Sequence, residues 1–149
     1  MVESGTLRLF VAIELPDAIR DQLRATTDEL RSTLAGPFRW VPPAAIHLTL
    51  RFLGDTLANE VDTLTGAINS AASGSTRFSL RLEGAGSFPQ GRSPSVLWAG
   101  LGGGVDALQA LRSAVEATLA TAGVAPEKRA FQPHLTLARG RGRLDPSTA

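Results

Sequence analysis

The residues best suited to chemistry lie in a tetrapeptide that occurs twice. His-Leu-Thr-Leu begins at His47 and again at His134, and these copies contain the only two histidines of the 149-residue chain. An imidazole exchanges protons near neutral pH, and a hydroxyl can donate a hydrogen bond to an anionic oxygen. Because packing alone does not require the same polar pair twice, we interpret both copies as functional.

Three kinds of site are compatible with two histidines. A zinc site normally uses three or four Cys, His or carboxylate ligands, but the chain has no cysteine and neither motif contains an acid. A nucleophilic site needs a hydroxyl activated by an oriented base, and no Ser-His-Asp ordering stands out. Paired acid–base catalysis fits best: one neutral imidazole takes a proton from water, and one imidazolium protonates a leaving oxygen. The hydroxyls and a guanidinium would then hold an anion, as a metal-free phosphodiester reaction requires.

Each copy of the motif has the period of a β-strand. Leu48 and Leu50 alternate with His47 and Thr49, and residues two apart in a strand point to the same face. Each strand should therefore present an imidazole and a hydroxyl on one face and bury leucines on the other. We expect the first strand over residues 46–53 and the second over 131–138.

The similarity between the two halves extends beyond the motifs. At the offset of 87 residues between the histidines, apolar strand aligns with apolar strand and helical stretch with helical stretch. Two copies indicate a pseudo-twofold duplication. We expect one domain over residues 1–149, with lobes at roughly 7–54 and 94–140 whose histidine strands face each other across a cleft.

Hydrophobic periodicity predicts the order β-α-β-α-β-β-α-β. The segments are a buried strand over 7–15, a helix from Pro16 to a stop at Gly36-Pro37, the first histidine strand, a helix over 58–72, a strand over 78–82, a Gly/Pro/Ser-rich loop over 84–95, a buried strand over 96–101, a helix ending at Gly123, and the second histidine strand. This order predicts an α+β fold with two small antiparallel sheets and helices packed outside.

Composition limits the classes of protein that fit. The chain is 43% hydrophobic and 19% charged, with a net charge of +1, which are values of a globular domain. No apolar run approaches the length of a membrane span. The N-terminus does not have the layout of a signal peptide, so we expect a cytoplasmic protein that does not bind membranes.

The paired motifs resemble the two-histidine phosphoesterase superfamily, and most closely its RNA 2′,3′-cyclic phosphodiesterases, also called 2′-5′ RNA ligase-like proteins. Further matches are the sequence RLFVAI from Arg8, the sequence WVP from Trp40, and the segment 133–139 around the second motif. The resemblance covers about residues 7–140.

The resemblance implies a bilobal α+β cleft in which His47, Thr49, His134 and Thr136 converge on a phosphate, with Arg139 as a further phosphate contact. It implies opening of a 2′,3′-cyclic phosphate to a 2′-phosphate without metal or cofactor. With an RNA 5′-hydroxyl in place of water, the reverse-type reaction would form a 2′-5′ bond. We assign His47 as acid to the leaving 3′ oxygen and His134 as base to water.

The substrate stays open at this point. RNA ends, small cyclic nucleotides and ADP-ribose cyclic phosphate share the reacting group, and a non-catalytic binding module for RNA phosphate ends is the alternative function. A terminal base could stack on an aromatic side chain, for which Phe10, Trp40 and Phe88 are candidates. Trp98 lies inside an apolar strand and is expected in the core.

The C-terminus departs from the family pattern. Family members usually continue with further strands after the second motif, whereas this chain stops soon after Arg143. We therefore expect those strands to be absent and the protein to be a monomer, with a dimer through the open sheet edge as the alternative. Strict alternation from His134 would also turn Arg139 away from the histidine face, so an irregularity is predicted between Leu137 and Gly140.

Overall fold

The computed structural model describes residues 5–34, 38–88 and 96–140. In this part of the chain the strands are β1 (Thr6–Ile13), β2 (Phe38–Trp40), β3 (Leu48–Leu57), β4 (Leu80–Phe88), β5 (Val96–Gly103) and β6 (Leu135–Gly140), and the helices are α1 (Asp17–Thr33), α2 (Val61–Ser73) and α3 (Val105–Thr121). Short 3-10 turns over Pro43–Ala45 and Ala58–Glu60 precede β3 and α2. Among these elements, none of the helices has the length and apolarity needed to cross a bilayer.

The strands are hydrogen-bonded in the order β1-β3-β6-β5-β4, and β2 also pairs with β6. β6 is antiparallel to β2, β3 and β5. The predicted α+β class with antiparallel strands is thus confirmed. The duplication predicted two separate sheets. The strands instead form one sheet, because β6 pairs with strands from both halves of the chain.

The chain folds into two compact units, each built from separate segments. The first unit contains the described residues of Met1–Ala12, Thr49–Arg81 and Gly102–Gln132, and the second contains those of Ile13–Leu48, Leu82–Leu101 and Pro133–Ala149. Each unit takes segments from both copies of the repeat, so the compact units are not the two copies themselves. The assignment of residues 1–149 to one domain stays a prediction.

The first unit is organised around the pair α2 and α3, which pack against each other. Their apolar faces bury Leu64, Leu108 and Leu119 to 5% exposure or less. A polar group also lies in this interior, because Arg51 of β3 is only 7% exposed and forms an ion pair with Glu116 of α3. This ion pair ties a strand to a helix within the unit.

The second unit contains α1, which begins where the sequence predicts it. Pro16 is in an extended conformation and Asp17 lies in the first turn, where a carboxylate interacts favourably with the positive end of the helix dipole. Leu23 is fully buried, but Leu34, predicted on the same apolar face, is 42% exposed. Leu34 is the C-cap in extended conformation, so it has left the helical face. The predicted stop at Gly36-Pro37 lies outside the described residues.

Two strand predictions are wrong in extent or burial. β1, expected to be buried, leaves Leu7 and Phe10 each 49% exposed, because it is at the end of the strand order and has one neighbour. β4 continues through the segment predicted as a loop and ends at Phe88. The glycine that suggested a loop has a packing role: a Cβ on Gly86 would lie 2.4 Å from the ring of Trp98, so glycine permits close approach between strands. The remainder of the predicted loop, 89–95, lies outside the described residues.

The two histidine strands have matching burial. The first six residues of β3 and of β6 follow the same sequence of buried, half-buried and exposed positions. Both strands start one residue after their histidine, later than predicted. Pro133 has no N–H to offer a strand pair, and Ile46 donates its N–H to Pro43 in the 3-10 turn. The repeat therefore predicts where these strands start relative to each other, while local backbone bonding determines the first residue.

Candidate active site

The register of β3 and β6 brings three of the predicted site residues together in the second unit. Leu48 pairs with Leu135 in an antiparallel ladder, and both leucines are buried at 1% and 0% exposure. Continuing this register by one residue puts His47 opposite Thr136, while His134 takes the diagonal position. Directly opposed side chains have Cβ atoms about 5 Å apart and diagonal neighbours roughly 7–8 Å. On this register the two imidazoles are diagonal neighbours on one face of the strand pair.

A turn held by an arginine positions His47. The Arg20 Nη1 of α1 donates hydrogen bonds to the carbonyl oxygens of Pro43 at 2.6 Å and Ile46 at 3.1 Å. These carbonyls belong to the 3-10 turn and to the residue before the histidine. Ile46 is itself 1% exposed, so both its side chain and its carbonyl are held. This arrangement restricts the backbone that carries the His47 imidazole.

An aromatic wall positions His134. The Phe88 ring lies 5.1 Å from the His134 ring at an interplanar angle of 87°, an edge-to-face contact. Trp98 lies 5.3 Å behind Phe88 and covers Gly86. Because Trp98 pairs with Thr136, its side chain is on the histidine face of the sheet and is half-buried. The prediction that Trp98 lies in the core is therefore wrong, whereas Phe88 does lie beside a predicted catalytic residue.

A bulge in β6 turns Arg139 toward the histidine face. Against β5, Trp98 pairs with Thr136 but Leu97 pairs with Ala138, so Leu137 is an extra residue in β6. An extra residue reverses the alternation of faces beyond it. Consistent with this, Leu137 and Ala138 are both buried although they are adjacent. Arg139 then shares the face of Thr136 and is exposed. The predicted irregularity exists, slightly earlier in the strand than expected.

The remaining predicted residues are Thr49, Phe10 and Trp40. Thr49 is half-buried and shares a face of β3 with His47, but it belongs to the first unit. Phe10 also belongs to the first unit and lies 6.1 Å from the ring of Phe52. Trp40 pairs with Ala138, so it is on the buried face of β6, opposite to Arg139, and does not join the histidine face.

Among the described residues, no group of three or more His, Cys, Asp or Glu side chains is placed to hold a metal ion. On the surface of the first unit, hydrogen bonds from Arg129, first from its backbone N–H, lower the pKa of Glu127.

Several contributing residues were missed by sequence reasoning. Arg20 and Arg39 look like ordinary surface arginines of a helix and a short strand, and nothing in their spacing marks them. Trp98 could have been assigned to the histidine face only if the pairing of its strand with β6 had been known. Each of these assignments depends on long-range register, which a single sequence does not contain.

Similarity to known proteins agrees with this arrangement. The family model described as "LigT like Phosphoesterase" matches residues 13–98 and 103–147. The chain therefore belongs to the LigT-like phosphoesterase family.

Individual relatives carry a more specific name. "RNA 2′,3′-cyclic phosphodiesterase" proteins of Aeropyrum pernix and Geobacillus stearothermophilus are 38% and 34% identical over 71% and 87% of this chain. This chain spans 59% and 41% of the lengths of these two relatives. The crystal structure of E. coli LigT complexed with 3′-AMP is similar with a TM-score of 0.69 and 31% identity, over 90% of this chain and 73% of that chain.

Proposed function

We propose that this protein hydrolyses the 2′,3′-cyclic phosphate of RNA ends or small nucleotides to a 2′-phosphate, with His47 and His134 as the acid–base pair. The observation that supports the proposal is the β3–β6 register, in which Leu48 lies opposite Leu135. From this pairing we infer that the two imidazoles, each one residue before its strand, share one face with the Thr136 hydroxyl. A merely structural histidine would not need a partner at the symmetry-related position of the repeat.

The reaction divides between the two histidines. His134, neutral at the start, removes a proton from water as the water oxygen forms a bond to phosphorus. The bond from phosphorus to the ribose 3′ oxygen breaks, and the protonated His47 transfers its proton to that oxygen. Water thus adds across one phosphorus–oxygen bond, and the product keeps its phosphate on the 2′ oxygen. The pair ends with its proton on the other histidine, which exchange with solvent reverses.

The charged oxygens need donors while the phosphorus is attacked. We assign the hydroxyls of Thr49 and Thr136 to these oxygens, because each follows its histidine on the same strand face. We assign the Arg139 guanidinium to the same phosphate, because the bulge turns it to the Thr136 face. Preorganised donors of this kind stabilise the developing charge of a transition state. No protein-bound metal or cofactor takes part in these steps.

The relatives support the substrate class. Proteins named RNA 2′,3′-cyclic phosphodiesterase match over most of this chain, and a similar structure was determined with 3′-AMP, a nucleotide with a phosphate on the ribose. An RNA 5′-hydroxyl could replace water in the same displacement: its oxygen would bond to phosphorus, the 3′ oxygen would leave as a hydroxyl, and a 2′-5′ bond would form. The Phe88 ring beside His134 is the most suitable of the predicted aromatic candidates to contact a terminal base.

The test is to incubate the protein with a nucleoside 2′,3′-cyclic phosphate in the presence of a chelator and to identify the product by chromatography. We expect the nucleoside 2′-phosphate, formed at the same rate with and without chelator. Because one histidine must be neutral and the other protonated, the rate should fall at both acid and alkaline pH. Binding without product would support the non-catalytic module instead, and a 3′-phosphate product would contradict the assigned leaving group.

A further inference from the structure

Two arginines lie directly opposite each other beside the histidine face. Arg39 of β2 pairs with Arg139 of β6 in an antiparallel ladder, so their side chains project from the same face of the sheet. Both are exposed. Among the described residues, neither guanidinium group forms a hydrogen bond or an ion pair.

This pair is electrostatically unfavourable without an anion. Like charges directly opposite each other in a sheet are destabilising. The other strand beside Arg139 does not compensate, because the residue paired with Arg139 on β5 is Val96. The bulge at Leu137 puts both guanidinium groups on the face of Thr136, so an anion bound there would be continuous with the candidate active site.

We propose that Arg39 binds the phosphodiester group that joins the terminal nucleotide to the rest of an RNA chain, and so selects RNA ends over mononucleotides. The inference rests on the proposed function, since it extends the substrate beyond the cyclic phosphate. A nucleoside 2′,3′-cyclic phosphate has one negatively charged group, to which His47, His134, Thr136 and Arg139 are already assigned. An RNA end adds a second negatively charged phosphate at the 5′ side of the same nucleoside.

The position of Arg39 fits the second phosphate and not the first. β2 lies beside the end of β6 that follows the bulge, about one strand spacing of 4.8 Å from Arg139. Arg39 is therefore farther from the histidines than Arg139 is. Proteins that bind single-stranded nucleic acid use such a series of positive groups to follow the backbone, with aromatic side chains for the bases, and Phe88 is on the same unit.

The experiment compares two substrates with the same terminal nucleotide. The mononucleotide is cytidine 2′,3′-cyclic phosphate, and the dinucleotide is two cytidines joined by a 3′-5′ phosphodiester with a terminal 2′,3′-cyclic phosphate. Both are assayed with the wild-type protein and with the variants Arg39→Ala, Arg39→Lys and Arg77→Ala. Arg77 is an exposed arginine outside β2 and β6, so its replacement controls for the loss of one positive charge. A hydrogen bond to a charged group corresponds to a factor of about ten to a hundred in affinity.

For Arg39→Ala we expect KM for the dinucleotide to rise by about ten- to a hundredfold, while KM for the mononucleotide changes far less. Arg39→Lys should recover part of the loss, because lysine keeps the charge but not the planar fork. Arg77→Ala should resemble the wild type. An equal loss on both substrates, or no loss on either, would overturn the inference.

Binding separates this inference from the activity itself. If the wild-type protein hydrolyses neither substrate, the proposed function fails. The role of Arg39 in binding is then tested by the affinity for a 5′-labelled tetracytidylate ending in a 3′-phosphate. Loss of one phosphate contact should reduce the slope of log affinity against log salt by about 0.7. Weaker binding and a smaller slope in Arg39→Ala support the arginine site, whereas unchanged affinity and slope reject it.

Discussion

Replacing Glu116 by alanine removes a carboxylate that two inward-facing arginines share. In the first unit, Glu116 accepts a hydrogen bond from the Arg51 Nε, and the Arg112 Nη1 lies 3.7 Å from the same oxygen. The side chains of Arg51 and Arg112 are only 7% and 13% exposed, and that of Glu116 is 19% exposed. Arg51 also donates to the carbonyl oxygens of Phe52 and Ala125, so it cannot turn out to solvent without losing these bonds.

The expected loss of stability follows from this burial. Breaking a buried ion pair by removing one partner costs about 3–5 kcal/mol, because the remaining charge stays buried without compensation. For a domain of this size, 1 kcal/mol lowers Tm by about 2–4 °C, so Glu116→Ala should lower Tm by about 6–20 °C. Glu116→Gln should lose less, since its side-chain oxygen can still accept the hydrogen bond.

Urea unfolding at neutral pH measures this loss, with an exposed ion pair as the control. Asp21 and Arg24 in α1 form a pair at 2.9 Å with side chains 72% and 57% exposed, and such a pair contributes about 0.2–1 kcal/mol. Asp21→Ala should therefore change the unfolding midpoint little, and high salt should abolish its effect, whereas the effect of Glu116→Ala should persist in salt. If Glu116→Ala destabilised no more than Asp21→Ala, the buried pair would not stabilise the unit as argued.

Further predictions concern the candidate site. His47→Ala and His134→Ala should each lower turnover by roughly two to four orders of magnitude, and the double variant should be little worse than either; a near-normal rate in steady-state assays of one single variant would reject the paired mechanism. Arg139→Ala should lower kcat/KM for both mono- and dinucleotide substrates, which distinguishes it from Arg39→Ala, and an effect confined to the dinucleotide would contradict its assignment to the reacting phosphate. Gly86→Ala should force the Trp98 ring to move and destabilise the fold by about 1–3 kcal/mol, with a parallel fall in turnover; unfolding midpoints and rates equal to the wild type would show that the ring contact is not needed. Arg20→Ala should lower kcat more than KM by loosening the turn before His47, and a change in KM alone would argue against this positioning role.

The sequence by itself determined the family and the candidate residues. Local patterns are sufficient for this: the alternation around His47 and His134 depends only on the strand period, and the strands observed there start 87 residues apart, as the repeat requires. α1 starts as predicted because Pro16 and Asp17 act through their own backbone geometry and charge. The order of elements was likewise predictable, apart from the short strand β2.

Tertiary structure decided which side chains join the histidines. The bulge at Leu137 appears only in the pairing with β5, yet it reverses the face of every residue that follows, so Arg139 and Arg39 depend on it. The sequence suggested a loop at Gly86. A glycine is needed there because of the Trp98 ring of a neighbouring strand, and a contact between strands cannot be seen in local sequence. The apolar sequence of β1 predicted a buried strand, but the strand is partly exposed, since a strand at the end of the order has fewer neighbours to cover it. Local sequence specifies the conformation of a segment, whereas strand register and burial depend on the other segments that pack against it. The surroundings of the candidate site depend on these long-range pairings.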